Sequence, residues 1–231
     1  MRMRVSDFIA QYLVESGISD VFTITGGGAM YLNDSLGHCK GLKCYYQHHE
    51  QACAIAAESY ARINNKMALI CVTTGPGGTN AITGVVGGWL DSIPMIIISG
   101  QVRSDTMARY TGLDIRSMGD QEFDITTITY RFTKYSELIE DPRRIKYCLH
   151  KAITIATNGR PGPCWLDIPL DIQGAYIDTD DLDDYTSEEY VETLPLEIDD
   201  NTIDEIIDKI RESKRPVLYA GNGIRLSGAY E

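Results

Sequence analysis

Positive charge is scarce in this chain. Its 231 residues carry 21 Lys and Arg against 33 Asp and Glu, a formal net charge of −12 with histidine neutral. Nucleic-acid phosphates and anionic membrane surfaces both require a basic face, so neither is expected as a partner. Long apolar runs are also missing. None approaches the length of a transmembrane helix, and Met1-Arg2-Met3-Arg4-Val5-Ser6-Asp7 leads into an amphipathic pattern rather than a secretory signal. Paired cysteines are absent as well. Cys39, Cys44, Cys53, Cys71, Cys148 and Cys164 are scattered among apolar neighbours with no Cys-x-x-Cys, so a zinc site or redox motif has little support. They read as free thiols packed as small hydrophobes in a reducing cytosol, which makes the expected location cytoplasmic. No internal repeat is visible.

What is present is a core-forming composition, 43% hydrophobic, with strand and helix patterns in alternation. Val5, Phe8, Ile9, Tyr12 and Leu13 recur at helical spacing, and Gly17 supplies a stop. Asp20 to Ile24 reads as a strand, followed by the Gly26-Gly27-Gly28 turn and a helix from Ala29 to Leu36. The pattern then repeats. Lys43 to Tyr46 leads into a helix from Glu50 to Arg62, and Ala68 to Val72 into a glycine turn and a helix from Thr79 to Trp89. Met95-Ile96-Ile97-Ile98, bounded by Pro94 and Gly100, has the continuous apolar character of a strand covered on both faces. A short helix near Glu122 to Ile128, a strand around Arg131 to Tyr135, a helix from Pro142 to Thr157 and a strand from Cys164 to Ile168 complete the set. Together these predict an α/β fold: a doubly wound, parallel, six-stranded sheet with helices on both faces, occupying residues 1–173.

Residues 174–200 change character. Asp178, Asp180, Asp181, Asp183, Asp184, Glu188 and Glu189 make an acidic, core-poor stretch that reads as an interdomain linker. Ile203, Ile206, Ile207 and Ile210 then share a helix face, and Pro216 to Ala220 reads as a strand. One helix and one strand cannot bury a core, so residues 201–231 are expected to be the truncated start of a second α/β domain.

The chemistry concentrates in two stretches. His49-Glu50-Gln51-Ala52, running on to Tyr60-Ala61-Arg62, puts a carboxylate at the start of a small-residue helix; Thr73-Thr74-Gly75-Pro76-Gly77-Gly78-Thr79-Asn80 puts a glycine turn on the next strand. A buried acid beside backbone that a flat ligand can approach closely is what a cofactor site needs. A glutamate in a helix's first turn is also favoured by the helix dipole alone, and the glycines alone could serve a tight connection. The two together favour the cofactor reading.

These stretches, with Phe22 to Met30, Asp91 to Met95, Gly100 to Val102, Asp120 to Glu122 and Gly159 to Asp171, resemble the N-terminal pyrimidine-binding domain of thiamine-diphosphate enzymes of the acetolactate synthase/pyruvate oxidase type. They run in the family's order across roughly the first 170 residues. Arg215 to Ala229 resembles the start of the family's middle domain. By the resemblance, Glu50 is the glutamate that hydrogen-bonds N1′ of the aminopyrimidine. There it favours the imino form, which takes the proton from the thiazolium carbon. Burial would disfavour the charged form of that carboxyl. Pro76 and Asn80 match residues lining the pyrimidine, Gly75 and Gly77 let the backbone approach it, and Gln121 matches a glutamine facing the active site. Ile24 and Gly26 border the site from the first glycine turn. His48 and His49 are expected to pack or support rather than to move protons.

Two departures from the family pattern stand out. Asp120 replaces the phenylalanine of Phe-Gln-Glu, and Ile24 stands where an aromatic residue is frequent. Both lie where substrate selectivity is expected, so acetolactate synthesis itself is not implied. The resemblance implies thiamine diphosphate as cofactor, with Mg²⁺ and the diphosphate held by a C-terminal domain carrying Gly-Asp-Gly, and with no metal ligand in the part seen here. Whether the middle domain binds FAD is left open. The partners implied are a second copy, as a homodimer through the pyrimidine domain, and the diphosphate-binding domain of that partner chain. By itself the chain is expected to be inactive. The leading reading is the N-terminal part of a lyase or synthase that decarboxylates a 2-oxo acid and transfers the product to a second carbonyl. The alternatives are a natural pyrimidine-domain subunit of a split decarboxylase and a non-catalytic assembly or regulatory relative. A nicotinamide-binding Rossmann domain is disfavoured, because no Gly-x-Gly-x-x-Gly follows the first strand.

Overall fold

The computed structural model describes residues 1–186, 189 and 198–229. In chain order the elements are β1 (Arg2–Arg4), α1 (Val5–Glu15), β2 (Asp20–Thr23), α2 (Met30–His38), β3 (Lys43–Tyr46), α3 (Glu50–Asn64), β4 (Ala68–Val72), α4 (Pro76–Leu90) and β5 (Met95–Gln101). There follow α5 (Thr126–Thr129), β6 (Tyr135–Leu138), α6 (Ile145–Thr157), β7 (Pro163–Pro169), α7 (Leu170–Gly174), β8 (Tyr176–Asp178), α8 (Asp200–Glu212) and α9 (Gly223–Leu226). The chain divides into two units, residues 1–190 and 191–231.

In the first unit six strands lie in the order β3-β2-β4-β5-β7-β6, and every pairing is parallel. The central β4, β5 and β7 are buried at every position, as their predominantly apolar sequences require. Because successive strand residues face opposite sides, each strand feeds two cores. Leu69, Cys71, Ile96, Ile98 and Leu166 join Val5, Ile9, Leu13, Leu32 and Leu149 in one cluster. Ile70, Val72, Ile97 and Trp165 join Cys53, Ala54, Ala57, Ala81 and Val85 in the other. Helices α1, α2 and α6 therefore cover one face, and α3 and α4 the other. The predicted doubly wound α/β sheet is the fold observed.

Element edges depart from the sequence reading in instructive places. Helix α4 begins at Pro76, three residues earlier than expected, because proline at the first helical position loses no intrahelical hydrogen bond and Gly75 is the N-cap. The strand placed around Arg131 to Tyr135 lies instead at Tyr135–Leu138. Thr133 Oγ1 donates back to the Thr129 carbonyl at 2.8 Å, closing a turn, and sheet pairing starts only where Lys134 N–H reaches the Pro163 carbonyl at 2.8 Å. The helix expected from Glu122 shrinks to α5, since the Glu122 carboxylate is occupied by the preceding loop: it accepts from the N–H groups of Ala108 at 2.7 Å and Met118 at 2.8 Å.

A second, antiparallel sheet of β1 and β8 had no sequence signal; Arg2 pairs with Asp178 and Arg4 with Tyr176. Part of the acidic stretch expected as a linker thus packs on the first unit. Beyond β8, Tyr185 is 3% exposed, and Asp184 pairs with Lys146 and His150, each at 2.7 Å. Residues 187, 188 and 190–197 of that stretch lie outside the described residues.

In the second unit α8 forms as its isoleucine spacing predicts, with Asp199 accepting from Thr202 N–H at 3.0 Å as its N-cap. The strand expected at Pro216 to Ala220 does not form. A strand needs a paired neighbour for its backbone, none is found among the described residues, and Val217, Leu218 and Tyr219 are all exposed.

Candidate active site

Parallel α/β sheets gather functional groups at the carboxyl ends of their strands, where the chain turns into the following helix. Here the turns after β2, β4 and β5 interlock through close glycine contacts. Thr73, just past β4, is the centre. Its Oγ1 accepts from Gly28 N–H at 3.0 Å, and a Cβ on Gly26 would come within 2.4 Å of the Thr73 side chain. A Cβ on Gly77 would meet the same threonine at 2.7 Å. Nothing in the sequence marks Thr73 as this hub, because the glycine triplet and the second turn are 45 residues apart along the chain.

Glu50 is the first residue of α3. His49 caps that helix, Nδ1 accepting from Gln51 N–H at 3.1 Å, a supporting role in line with the sequence reading. The Glu50 carboxylate reaches across to the start of α4, where Asn80 Nδ2 donates to Oε2 at 3.0 Å. Its Oε1 lies over Gly77, 3.3 Å from where a Cβ would stand. In the chain taken singly Glu50 is half-buried and Asn80 exposed, rather than enclosed in a dry pocket.

The remaining candidate residues fall around this pair. Gly75 has φ +55° and ψ −115°, a backbone state that L side chains rarely adopt. The Gln121 carbonyl lies against it, only 2.0 Å from the position of a Cβ. Gln121 itself sits at φ +59°, with its side chain on the exposed surface. Pro76 is exposed at the first turn of α4, and Ile24 packs half-buried beside Phe22 at the exit from β2. The structure therefore brings Glu50, Gly77 and Asn80 together, places Gly75, Pro76 and Gln121 beside them, and links Gly26 to them through Thr73.

Sequence reasoning missed the polar layer beneath. Asp167, in the otherwise apolar β7, is 1% exposed; Oδ1 accepts from Ser99 Oγ at 2.6 Å and Oδ2 from Gln101 Nε2 at 2.9 Å. Trp165 Nε1 in turn donates to Ser99 Oγ at 2.8 Å. Burial pushes the Asp167 carboxyl up to about 7, outweighing the opposing effect of the Ser99 and Gln101 hydrogen bonds. An acid inside the run Cys164 to Ile168 was the visible signal; its partners were not visible. The cysteines are all free, and burial pushes Cys71 and Cys164 up to about 12, so these two are unreactive packing thiols. Among the described residues no cluster of three His, Cys, Asp or Glu could hold a metal, and no helix is long and apolar enough to cross a membrane.

The chain is 34% identical over 218 residues to a chloroplastic acetolactate synthase of Arabidopsis thaliana, covering 94% of the chain and 31% of the relative. It is 32% identical over 226 residues to the acetolactate synthase large subunit of Lactococcus lactis subsp. lactis, covering 98% of the chain and 38% of the relative. The same subunit from Buchnera aphidicola is 34% identical over 229 residues, covering 98% and 38%. The chain thus spans about a third of the length of the curated relatives it matches. Residues 3–128, the segment holding Glu50, Gly75, Pro76, Asn80 and Gln121, match the family described as the thiamine pyrophosphate enzyme N-terminal TPP binding domain, and the chain belongs to that family.

Proposed function

We propose that this chain is the pyrimidine-binding part of a thiamine-diphosphate-dependent lyase or synthase acting on a 2-oxo acid, with Glu50 as the carboxyl that meets the aminopyrimidine ring. The observation that carries this reading is the disposition of the Glu50 carboxylate. Asn80 holds Oε2, while Oε1 stands over a glycine with no protein donor among the described residues, available to a ligand nitrogen. A ring nitrogen paired with a carboxyl needs such a fixed oxygen on a face that backbone, rather than side chains, lines. The residues therefore fit the pyrimidine half of the cofactor.

When bound, thiamine diphosphate supplies the carbon nucleophile and electron sink for 2-oxo acid chemistry. The chain's own part is to orient and to hold a proton. Asn80 fixes the carboxyl rotamer, Glu50 shares a proton at Oε1, and the Gly75-Pro76-Gly77 turn presents backbone to the ring face. Mg²⁺ and the diphosphate would be held by a domain beyond this chain's residues, donated by a partner copy. Exposed Ile55 on α3, with Trp89 and Leu90 on α4, supports a homodimer through this helical face.

The test is complementation. The chain is mixed with a separately produced C-terminal half of a related enzyme, thiamine diphosphate and Mg²⁺, and pyruvate consumption is followed. Glu50→Gln is expected to lower the rate by about 10²-fold or more, the usual worth of a positioned acid–base group. Full activity in that variant overturns the role of Glu50. Absence of cofactor binding in every pairing favours the non-catalytic alternative.

A further inference from the structure

Gln101, the last residue of β5, is 1% exposed and touches three separate segments with one carboxamide. Its Oε1 accepts from Val102 N–H at 2.9 Å and from Thr74 Oγ1 at 2.6 Å. Its Nε2 donates to the Phe123 carbonyl at 2.8 Å and to Asp167 Oδ2 at 2.9 Å. A backbone N–H can only donate and a carbonyl can only accept, so Val102 and Phe123 fix which end of the amide is oxygen. All four hydrogen-bonding positions are then used. Asp167 anchors the group from the sheet, itself held by Ser99, whose hydroxyl oxygen accepts from Trp165 Nε1.

The two segments that Gln101 ties down are those that meet at Gly75. Thr74 immediately precedes this glycine, and Phe123 lies two residues beyond Gln121, whose carbonyl rests on it. None of the hydrogen bonds given above joins Gln101 to Glu50, Gly77 or Asn80.

We propose that Gln101 is a positioning residue: through Thr74 and Phe123 it holds the glycine turn at the head of α4 and the 121–123 segment in fixed relation, and so sets where Gly75, Pro76 and Gly77 stand relative to Glu50. Its importance for turnover rests on the pyrimidine-site reading; the positioning itself does not, and can be measured without cofactor.

The test is amide hydrogen exchange on the 231-residue chain, with no thiamine present. The reporters are Gly77 N–H, bonded to the Thr74 carbonyl at 3.1 Å, Thr79 N–H, bonded to the Gly75 carbonyl at 3.0 Å, and Ile125 N–H, bonded to the Phe123 carbonyl at 3.0 Å. Thr74→Val removes the hydroxyl at nearly constant volume and leaves the other bonds of Gln101 in place. Exchange at Gly77 and Thr79 is expected to rise about tenfold, with Ile70 and Ile97 in the sheet unchanged. Thr74→Ser, which keeps the hydroxyl, is expected to return both amides to within about twofold of wild type. Gln101→Met is expected to accelerate Ile125 as well; if that variant does not fold, the threonine pair carries the test. The proposal is overturned by unchanged exchange in Thr74→Val, by equal acceleration in Thr74→Ser, or by a rise spread evenly over the sheet. Because cofactor plays no part, a failure here leaves the Glu50 reading standing, and a failure of complementation leaves this one standing.

Discussion

Gly84 on α4 packs against Ala54 on α3 so closely that a methyl group on the glycine would lie 2.6 Å from the alanine Cβ and 2.7 Å from its carbonyl carbon. Ala54 is one helical turn past Glu50, and Gly84 one turn past Asn80. The crossing of two small residues thus sets the distance between the helix starts that carry the carboxylate and its amide partner. Gly84→Ala is expected to destabilise the chain by about 1–3 kcal/mol through overpacking. It should also lower complemented activity, by lengthening the Glu50–Asn80 contact. Gly87→Ala, on the same helix with nothing within 4 Å of the new methyl, is the control. It should stabilise by roughly 0.5–1 kcal/mol, as alanine does over glycine in a helix. Urea denaturation of both variants measures the contrast; equal effects would show that the crossing is not tight.

Gly75 makes a sharper case. Its positive φ and the Gln121 carbonyl at 2.0 Å from a virtual Cβ oppose any side chain by two independent routes. Gly75→Ala should cost at least roughly 2 kcal/mol, combining backbone strain with displacement of the 121 segment. Gly112→Ala, at φ +68° in open space, meets only the strain and should cost roughly 1 kcal/mol. Thermal melts rank the two, and a Gly112 variant as damaged as the Gly75 variant would remove the role assigned to the carbonyl contact.

Asp167 predicts an unusual pH dependence. Its carboxyl is raised from 3.8 to about 7 on folding, so the native state binds the proton more tightly than the unfolded chain. The stability it contributes is fully present below about pH 4 and is lost as pH rises through about 7. Other carboxylates titrate in the same range, so the comparison needs Asp167→Asn, which cannot ionise. The advantage of wild type over that variant should shrink between pH 4 and 8 by up to roughly 4 kcal/mol. A constant difference across that range would mean that Asp167 is charged throughout.

The parts that the sequence revealed and the parts that it hid differ in a physical way. Met95 to Ile98 could be read as a central strand because burial on both faces demands an unbroken apolar run, and β5 is that strand. Helix α3 could be read from its small-residue content and from the glutamate at its head. The β1–β8 pair could not, since three-residue strands carry no periodicity and their partners are remote in sequence. Pro216 to Ala220 misled for the opposite reason: strand composition was present, but among the described residues no neighbouring strand pairs with it. In the candidate site, Glu50 and the glycine turn stood out as residue types. Thr73, Gln101 and Asp167 did not, because a threonine, a glutamine and an isolated acid acquire meaning only from what folding brings beside them.

The β1–β8 ribbon has a further consequence, for the order in which the chain is made. Arg2 of β1 pairs with Asp178 of β8, near the far end of the first unit. A growing polypeptide leaves the ribosome N-terminus first, so the opening strand waits unpaired while nearly the whole first unit is synthesised. The six-stranded sheet can assemble progressively behind it, but this clasp closes last.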